Sequence, residues 1–213
     1  MKYRRIGNTG LKVSEISLGS WMTYGDSVDK ERSKECLVSA LENGVNFIDT
    51  ADIYANGEAE RIIGEFLAEE TYRRRDLVIS TKAFWAMSDD VNDRGTSRKH
   101  LMESINDSLD RLNLDYVDIF FAHCYDRKTD LTESIGAMHD IVREGQAHYW
   151  GTSGFLGYQL ERTVGTAREM KAYPPKVEQP RYNMLDRYIE LEIKEVCKDH
   201  GIGIVVWSPL MYG

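Results

Sequence analysis

Short apolar runs alternate with longer amphipathic runs along the whole chain, and this alternation predicts the fold. The short runs are rich in β-branched and aromatic residues without polar alternation, which is typical of strands buried on both faces. They occupy residues 16–18, 45–48, 77–80, 117–122, 147–151, 176–178 and 202–207. Because a helical pattern separates each run from the next, we predict a parallel sheet built from successive strand–helix units.

The amphipathic runs between the strands carry apolar residues at helical spacing, so each presents one apolar face. The longest lies between the third and fourth runs, and Ser97 just before it is a candidate N-cap. The last pattern passes through Ile189, Ile193, Val196 and Cys197. Glycines end three of the patterns, as is common at helix C-termini: Gly44, Gly145 and Gly201.

Strands recurring at intervals of roughly 30 residues fit either an open doubly wound sheet or most of a barrel. Each predicted strand ends on polar or aromatic side chains: Ser20-Trp21, Asp49, Lys82, His123, Ser153, Gln179 and Trp207-Ser208. One such residue is commonly a helix cap, whereas seven in register would all converge on one barrel mouth. We therefore predict an α/β fold, a TIM-type (β/α)8 barrel. A small hairpin of residues 2–5 and 11–13 is expected before it.

Composition and charge exclude several classes of protein. The chain has a net charge of −8, opposite in sign to a nucleic-acid platform, so no nucleic-acid partner is expected. Its longest uncharged apolar stretch, residues 201–213, is too short to cross a bilayer, so no membrane insertion is expected. Three cysteines far apart, Cys36, Cys124 and Cys197, indicate reduced thiols. We expect a cytoplasmic protein.

Several common catalytic motifs do not occur in the sequence. Gly151, Gly154 and Gly157 lack the G-x-G-x-x-G spacing of a dinucleotide-binding turn. Ser153 lies in no G-x-S-x-G elbow, so hydrolase chemistry is poorly supported. Cys197-Lys-Asp-His200 has a ligand-like spacing but no second pair, and we expect no metal site.

Four residues at consecutive strand ends make a chemically coherent set. Asp49 ends the second strand with Tyr54 in the loop after it, Lys82 ends the third and His123 the fourth. A buried lysine needs a carboxylate partner, which Asp49 supplies. An ammonium beside a phenol favours the phenolate, so we expect Lys82 to lower the Tyr54 pKa and suit it as a general acid. His123 can orient a carbonyl oxygen, so the set is able to protonate a forming alkoxide.

A resemblance to a known family rests on seven segments. They are Phe47-Ile-Asp-Thr-Ala-Asp-Ile-Tyr54, Ile79-Ser-Thr-Lys82, Ser97-Arg-Lys-His100, Leu112-Asn-Leu-Asp-Tyr-Val-Asp118, Tyr149-Trp-Gly-Thr-Ser153, Glu178-Gln-Pro-Arg-Tyr-Asn183 and Trp207-Ser-Pro-Leu210. With them the chain resembles the aldo-keto reductase superfamily, in the branch of voltage-gated potassium channel β subunits and related bacterial reductases. One departure is Cys124-Tyr125, where many relatives have Arg-Pro.

The resemblance implies a barrel that binds NADP(H) without a Rossmann motif and reduces aldehydes or ketones by hydride transfer. It implies that Tyr54 is the proton donor and that Asp49, Lys82 and His123 complete a catalytic tetrad. Ser153 and Gln179 are implied to hold the nicotinamide carboxamide. The full implied cofactor set is Ser20, Trp21, Asp49, Ser153, Gln179, Trp207, Ser208, Pro209 and Leu210.

Residues 1–213 are predicted to form one barrel domain of this type that lacks the eighth βα unit and the C-terminal cofactor segment. A whole barrel takes about 250 residues, and seven strands leave two unpaired edges. A longer chain, a truncation and a partner covering the gap are all compatible with this expectation.

The sequence leaves alternatives for function. The leading one is reduction of a small carbonyl substrate, with Trp21, Phe84 and Trp85 favouring aryl or small aliphatic aldehydes. The alternatives are a non-catalytic cofactor-sensing subunit of the channel β-subunit type, an inactive truncated barrel, and a doubly wound sheet for another phosphorylated ligand. A homo-oligomer is left open.

Overall fold

A curled parallel sheet forms the centre of the structure, a computed structural model that describes residues 1–69 and 72–211. A short antiparallel hairpin precedes the sheet and consists of β1 (Tyr3–Arg5) and β2 (Lys12–Ser14). Within the described residues the sheet has seven strands, which lie side by side in chain order. They are β3 (Leu18–Gly19), β4 (Phe47–Asp49), β5 (Val78–Ala83), β6 (Val117–Ala122), β7 (Ala147–Ser153), β8 (Val177–Gln179) and β9 (Gly203–Ile204).

Helices follow the strands and cover the outer face of the sheet. They are α1 (Lys30–Glu42), α2 (Glu58–Ala68), α3 (Arg98–Leu112), α4 (Leu131–Arg143), α5 (Gly157–Glu169) and α6 (Ile193–His200). Ser97 caps α3 as predicted, since its hydroxyl accepts the His100 N–H at 3.2 Å. Gly201 ends α6 in the left-handed conformation, at φ 64°.

The curvature of the sheet is shown by one hydrogen bond across it. The Gln179 side chain on β8 donates to Asp49 on β4 at 3.0 Å. Four strand spacings of about 4.8 Å separate these strands, so in a flat sheet they would lie roughly 19 Å apart. The sheet therefore curls around a central axis, as the predicted (β/α)8 barrel requires. The predicted hairpin and the seven predicted strands are confirmed.

Three element predictions need correction. The first strand was expected over residues 16–18, but β3 spans Leu18–Gly19, and Ile16 is exposed in a bend before it. The last strand was expected over residues 202–207, but β9 spans Gly203–Ile204. The Val205 and Trp207 amides still donate to the carbonyls of β8 and Pro180, yet Pro180 has no N–H to return a bond, so the regular ladder stops. Ile189 lies in a separate 3₁₀ turn, Tyr188–Glu190, ahead of α6. That turn keeps the same apolar face buried, which explains the continuous helical pattern.

Two apolar layers pack against the sheet, one on its outer face and one inside the curl. The larger one lies between the sheet and the helices. The smaller one fills the inside of the curl at the amino-terminal ends of the strands, where Ile6 and Val13 of the hairpin region plug it. Its strand residues are Phe47, Val78, Ile119, Phe121 and Val177. This plug leaves the carboxyl ends of the strands as the open mouth.

Candidate active site

Strand periodicity explains why the predicted site residues share one mouth. Side chains two residues apart on a strand face the same way. Asp49 follows the inner-face Phe47 by two positions, and Gln179 follows Val177 by two. By the same rule Lys82 lies four positions after Val78, and His123 four after Ile119. Inside the curled sheet, the apolar plug at the amino-terminal ends of the strands is therefore followed by a polar layer at their carboxyl ends.

Lys82 is at the centre of this polar layer. Its side chain is fully buried, and its ammonium donates to Asp49 Oδ2 at 2.6 Å and to the Thr50 carbonyl at 2.7 Å. It also donates to the Tyr54 hydroxyl oxygen at 3.3 Å. Because the tyrosine oxygen accepts this bond, its own proton is free to point elsewhere. The lysine thus connects the carboxylate and the phenol that the sequence analysis paired with it.

Asp49 joins three strands. Its Oδ1 accepts from the Ser80 hydroxyl at 2.6 Å and from the Gln179 amide at 3.0 Å, while Oδ2 faces Lys82. These bonds satisfy a mostly buried carboxylate and hold β4, β5 and β8 in fixed relation at the mouth. Ser80 was not among the predicted site residues, although its position two residues after Val78 could have indicated it.

The turn that carries Tyr54 is conformationally strained. Ala55 and Asn56 have φ values of 48° and 52°, and Gly57 follows at 87°. Non-glycine residues rarely adopt this left-handed region, so the surrounding structure must hold them there. The turn places the Tyr54 ring edge-to-face with the His123 ring, with centroids 5.9 Å apart. All four predicted tetrad residues therefore meet in one cluster.

A buried ion pair that sequence reasoning missed supports this turn from behind. Arg111 Nε lies 2.6 Å from Glu60 Oε2, and Glu60 also accepts the Thr81 hydroxyl at 2.5 Å. The Arg111 side chain passes so close to Gly57 that a Cβ there would meet its Cδ at 2.8 Å. No sequence signal marks this pair, because Glu60 and Arg111 are charged residues 51 positions apart on two different helices, α2 and α3.

The electrostatic expectation for Tyr54 is wrong in its net direction. Burial raises the pKa of Tyr54, and the opposing effect of the Lys82 ammonium does not outweigh it. For Lys82, burial lowers the pKa, but the charge of Asp49 and the hydrogen bonds to Asp49 and Tyr54 outweigh burial, and the net pKa is raised. The lysine therefore stays charged and the phenol keeps its proton, which suits Tyr54 to donate that proton.

His123 is a neutral imidazole in this site. Burial, together with the nearby Lys82 charge, lowers its pKa from 6.5 to about 3. Among the described residues nothing hydrogen-bonds its buried Nδ1. Trp85 stands edge-on to it, with ring centroids 6.5 Å apart. A buried nitrogen without a partner beside a phenol is a place where a ligand oxygen or N–H can bind.

We expect His123 to show no titration between about pH 5 and 8. The unfolded chain takes up this proton below about 6.5 and the folded chain only near 3, so the stability contribution is present above 6.5 and is lost as pH falls toward 3. The measurement is the chemical shift of the imidazole C–H protons, with His123→Asn to assign the signal. The same protein in urea should titrate normally. A folded-state midpoint near 6.5 would contradict this environment.

The predicted cofactor residues lie around the same mouth. Ser20 is buried and its hydroxyl donates to Thr50 Oγ1 at 2.9 Å. The Ser153 hydroxyl donates to the main-chain carbonyl of Gln179 at 2.9 Å. Trp207 stands edge-on to Trp21, with centroids 5.7 Å apart. Residues 208–210 follow at the rim, where Pro209 and Leu210 are exposed and Ser208 takes a φ of 49°.

A nicotinamide fits the polar end of this mouth. The Gln179 amide nitrogen is engaged by Asp49, while no described residue donates to its carbonyl oxygen Oε1. That oxygen can accept the N–H of a carboxamide, and the neighbouring Ser153 hydroxyl can pair with the other end of the same group. The Trp207 indole offers a flat apolar face for a ring. The roles of these residues stay predictions.

Residues 1–69 and 72–211 contain neither a metal-binding cluster nor a membrane-spanning helix. No group of three or more His, Cys, Asp or Glu side chains there is arranged to hold a metal ion. No helix in that part of the chain is long and apolar enough to span a bilayer. All three cysteines have free thiols.

Fold and site together define an α/β barrel with a lysine–tyrosine–carboxylate–histidine cluster at its mouth. The chain belongs to the aldo/keto reductase family, whose model matches residues 15–213. It is 44% identical to a probable voltage-gated potassium channel subunit beta of Arabidopsis thaliana, and 40% identical to one of Oryza sativa subsp. japonica. Both alignments cover 100% of this chain and 65% of the relative, so the chain spans about two thirds of those proteins.

Proposed function

We propose that this protein is an NADP(H)-dependent oxidoreductase that reduces aldehydes or ketones to alcohols, with Tyr54 as proton donor. The single observation that carries this proposal is the contact of the Tyr54 hydroxyl with the buried Lys82–Asp49 pair, facing a neutral His123. Family membership supports the reaction class. We place the protein in the cytoplasm, because free thiols suit a reducing compartment.

Each side chain of the site has its own role in the proposed reaction. The cofactor, when bound, supplies a hydride to the carbonyl carbon. His123 presents a neutral ring nitrogen that orients the carbonyl oxygen. Tyr54 delivers its proton to that oxygen as negative charge develops, and Lys82 stabilises the phenolate that results. Asp49 keeps the lysine in place through its 2.6 Å contact. Ser153 and Gln179 bind the carboxamide.

Aromatic side chains support a proposal for the substrate class. Phe84 and Trp85 stand edge-to-face with centroids 5.1 Å apart, and Trp85 faces His123. Trp21 lies across the mouth beside Trp207. Such walls bind flat apolar groups, so aryl and small aliphatic aldehydes are the proposed substrates.

A second function is favoured by the names of the relatives. Two plant proteins at 44% and 40% identity are described as probable channel β subunits. We propose as the alternative that cofactor occupancy here signals to a partner rather than driving turnover. The retained tetrad is the observation that weighs against it, because a pure scaffold does not need a proton donor.

The two functions are separated by steady-state turnover. The protein is saturated with NADPH, as judged by quenching of tryptophan fluorescence, and an aryl aldehyde is added while absorbance of the reduced cofactor is followed. The proposed enzyme oxidises NADPH in proportion to added aldehyde. Saturable binding without aldehyde-dependent oxidation would favour the regulatory alternative, and no binding would overturn both.

A further inference from the structure

A buried carboxylate that the proposed mechanism does not use lies directly beside the carboxamide site. Glu178 immediately precedes Gln179 on β8, and its side chain is completely buried on the opposite face of the strand. Among the described residues no cation comes within ion-pair distance of it. A buried carboxylate without a cation is costly and persists only when hydrogen bonds compensate for it.

Three donors, all from β7 and the loop after it, surround this carboxylate. The Thr152 hydroxyl donates to Oε2 at 2.5 Å, and the Phe155 N–H donates to Oε1 at 3.1 Å. The Gly154 N–H is shared: it donates to the main-chain carbonyl of Gln179 at 3.2 Å and also contacts the Glu178 carboxylate. Gly154 has a φ of 67°, so the loop turns sharply around the carboxylate.

These contacts fix the residues on both sides of Ser153 in the sequence. Thr152 precedes it, Gly154 and Phe155 follow it, and its own hydroxyl is bonded to the Gln179 carbonyl. We infer that Glu178 is a positioning residue for cofactor binding: it anchors the loop of residues 152–155 so that Ser153 and Gln179 keep the spacing that a carboxamide needs. This inference rests on the proposed function of Ser153 and Gln179.

The anionic form of Glu178 is the form that holds the loop. It accepts all three bonds, whereas a protonated carboxyl would turn an O–H toward N–H donors. Burial raises the pKa of Glu178 to about 7, against the three hydrogen bonds. Two titratable groups face it from the packed elements, Tyr188 and Cys197, and burial raises the pKa of both. They stay protonated between about pH 5 and 8, so Glu178 is the group in this cluster that changes charge there.

Cofactor affinity and stability should therefore respond to pH in opposite directions. Cofactor affinity rises as pH rises through about 7, because the loop is anchored by the anion. The stability contribution of Glu178 runs the other way. Its folded pKa lies above 4.5, so the folded state binds this proton more tightly and loses stability as pH rises from 4.5 to about 7. A residue with only a structural role would not produce this opposition.

The experiment is an NADPH titration of the whole chain at pH 6 and pH 8, followed by tryptophan fluorescence, for wild type, Glu178→Gln and a matched control. Misplaced binding groups cost about 10–100-fold, and we expect the NADPH Kd of Glu178→Gln to rise by that factor at pH 8. The ratio of Kd at pH 6 to Kd at pH 8 should be smaller in the variant. The 2′-phosphate of NADPH titrates equally with both proteins and cancels in this comparison.

Asp118→Asn is the control. Asp118 is also a buried strand carboxylate, holding the Ile79 N–H at 2.8 Å and Arg74 at 2.7 Å, but it lies at the opposite end of β6 from the mouth. We expect it to lower stability and leave the Kd unchanged. If Glu178→Gln does not fold, Thr152→Val removes one donor and should give a smaller effect in the same direction.

The outcomes separate this inference from the function on which it rests. Wild type that binds no NADPH overturns both. Wild type that binds, with a variant of equal Kd and equal pH ratio, overturns the positioning role and leaves the proposed function standing. An Asp118→Asn protein whose Kd rises as much as that of Glu178→Gln also overturns it, since the effect would then be general destabilisation.

Discussion

Tyr54→Phe is expected to lower kcat for aldehyde reduction by about 10²–10⁴-fold, the range that a positioned general acid contributes. The change removes the hydroxyl to which Lys82 donates at 3.3 Å and keeps the ring that packs on His123. NADPH affinity should stay within about twofold, because the hydroxyl matters chiefly in the transition state. The measurement is steady-state turnover of an aryl aldehyde at saturating NADPH, with Kd measured separately.

The pH profile adds a second readout. Burial raises the pKa of Tyr54, so its phenol stays protonated across the neutral range and wild-type kcat should not fall there through loss of that proton.

Tyr116→Phe is the matched control, since Tyr116 stacks on Arg74 just before β6, at the strand ends opposite the mouth. It should keep wild-type turnover. If Tyr54→Phe reduces aldehydes as fast as wild type, the proton comes from another group.

Lys82→Met is expected to abolish turnover and to lower the free energy of unfolding by about 3 kcal/mol, at the low end of the cost of breaking a buried pair. The variant leaves the Asp49 carboxylate in the mouth without its cation. Ser80 and Gln179 still donate to that carboxylate, which is why the cost is at the lower end. Urea unfolding at pH 7 measures the change.

Two further variants test the cause of that loss. Asp49→Asn combined with Lys82→Met removes the uncompensated charge, so most of the lost stability should return while turnover stays absent. Lys30→Met breaks an exposed pair with Glu65 and should leave the unfolding midpoint nearly unchanged. A Lys82→Met protein as stable as wild type would show that the buried pair does not hold the mouth together.

The parts of the site that could be predicted from sequence depend on strand periodicity. Asp49, Lys82, His123 and Gln179 follow buried strand residues at even spacings, and local pattern is enough to place them on one inner face. The repeated strand–helix units predict a parallel sheet, and the polar and aromatic residues at all seven strand ends favour a barrel over an open sheet. These features are local or periodic, so one sequence is sufficient to predict them.

Other features depend on burial and on contacts between residues far apart in the sequence, which no local sequence pattern indicates. Glu178 is a charged residue at the end of a predicted strand, and no local pattern shows that it is buried and held by a loop from the neighbouring strand. Ala55 and Asn56 carry no glycine signal for their left-handed conformation. The Tyr54 pKa was misjudged because burial and the Lys82 charge oppose each other, and only the folded structure shows that burial is the larger effect.

The most direct test of the central claim, reduction of a carbonyl at this mouth, is isotope transfer. The protein is incubated with an aryl aldehyde and NADPH carrying deuterium at both C4 positions, and the alcohol is analysed by mass spectrometry. We predict one deuterium on the carbinol carbon with wild type and only background with Tyr54→Phe. Unlabelled or undetectable alcohol from wild type at saturating NADPH would contradict the reductase assignment.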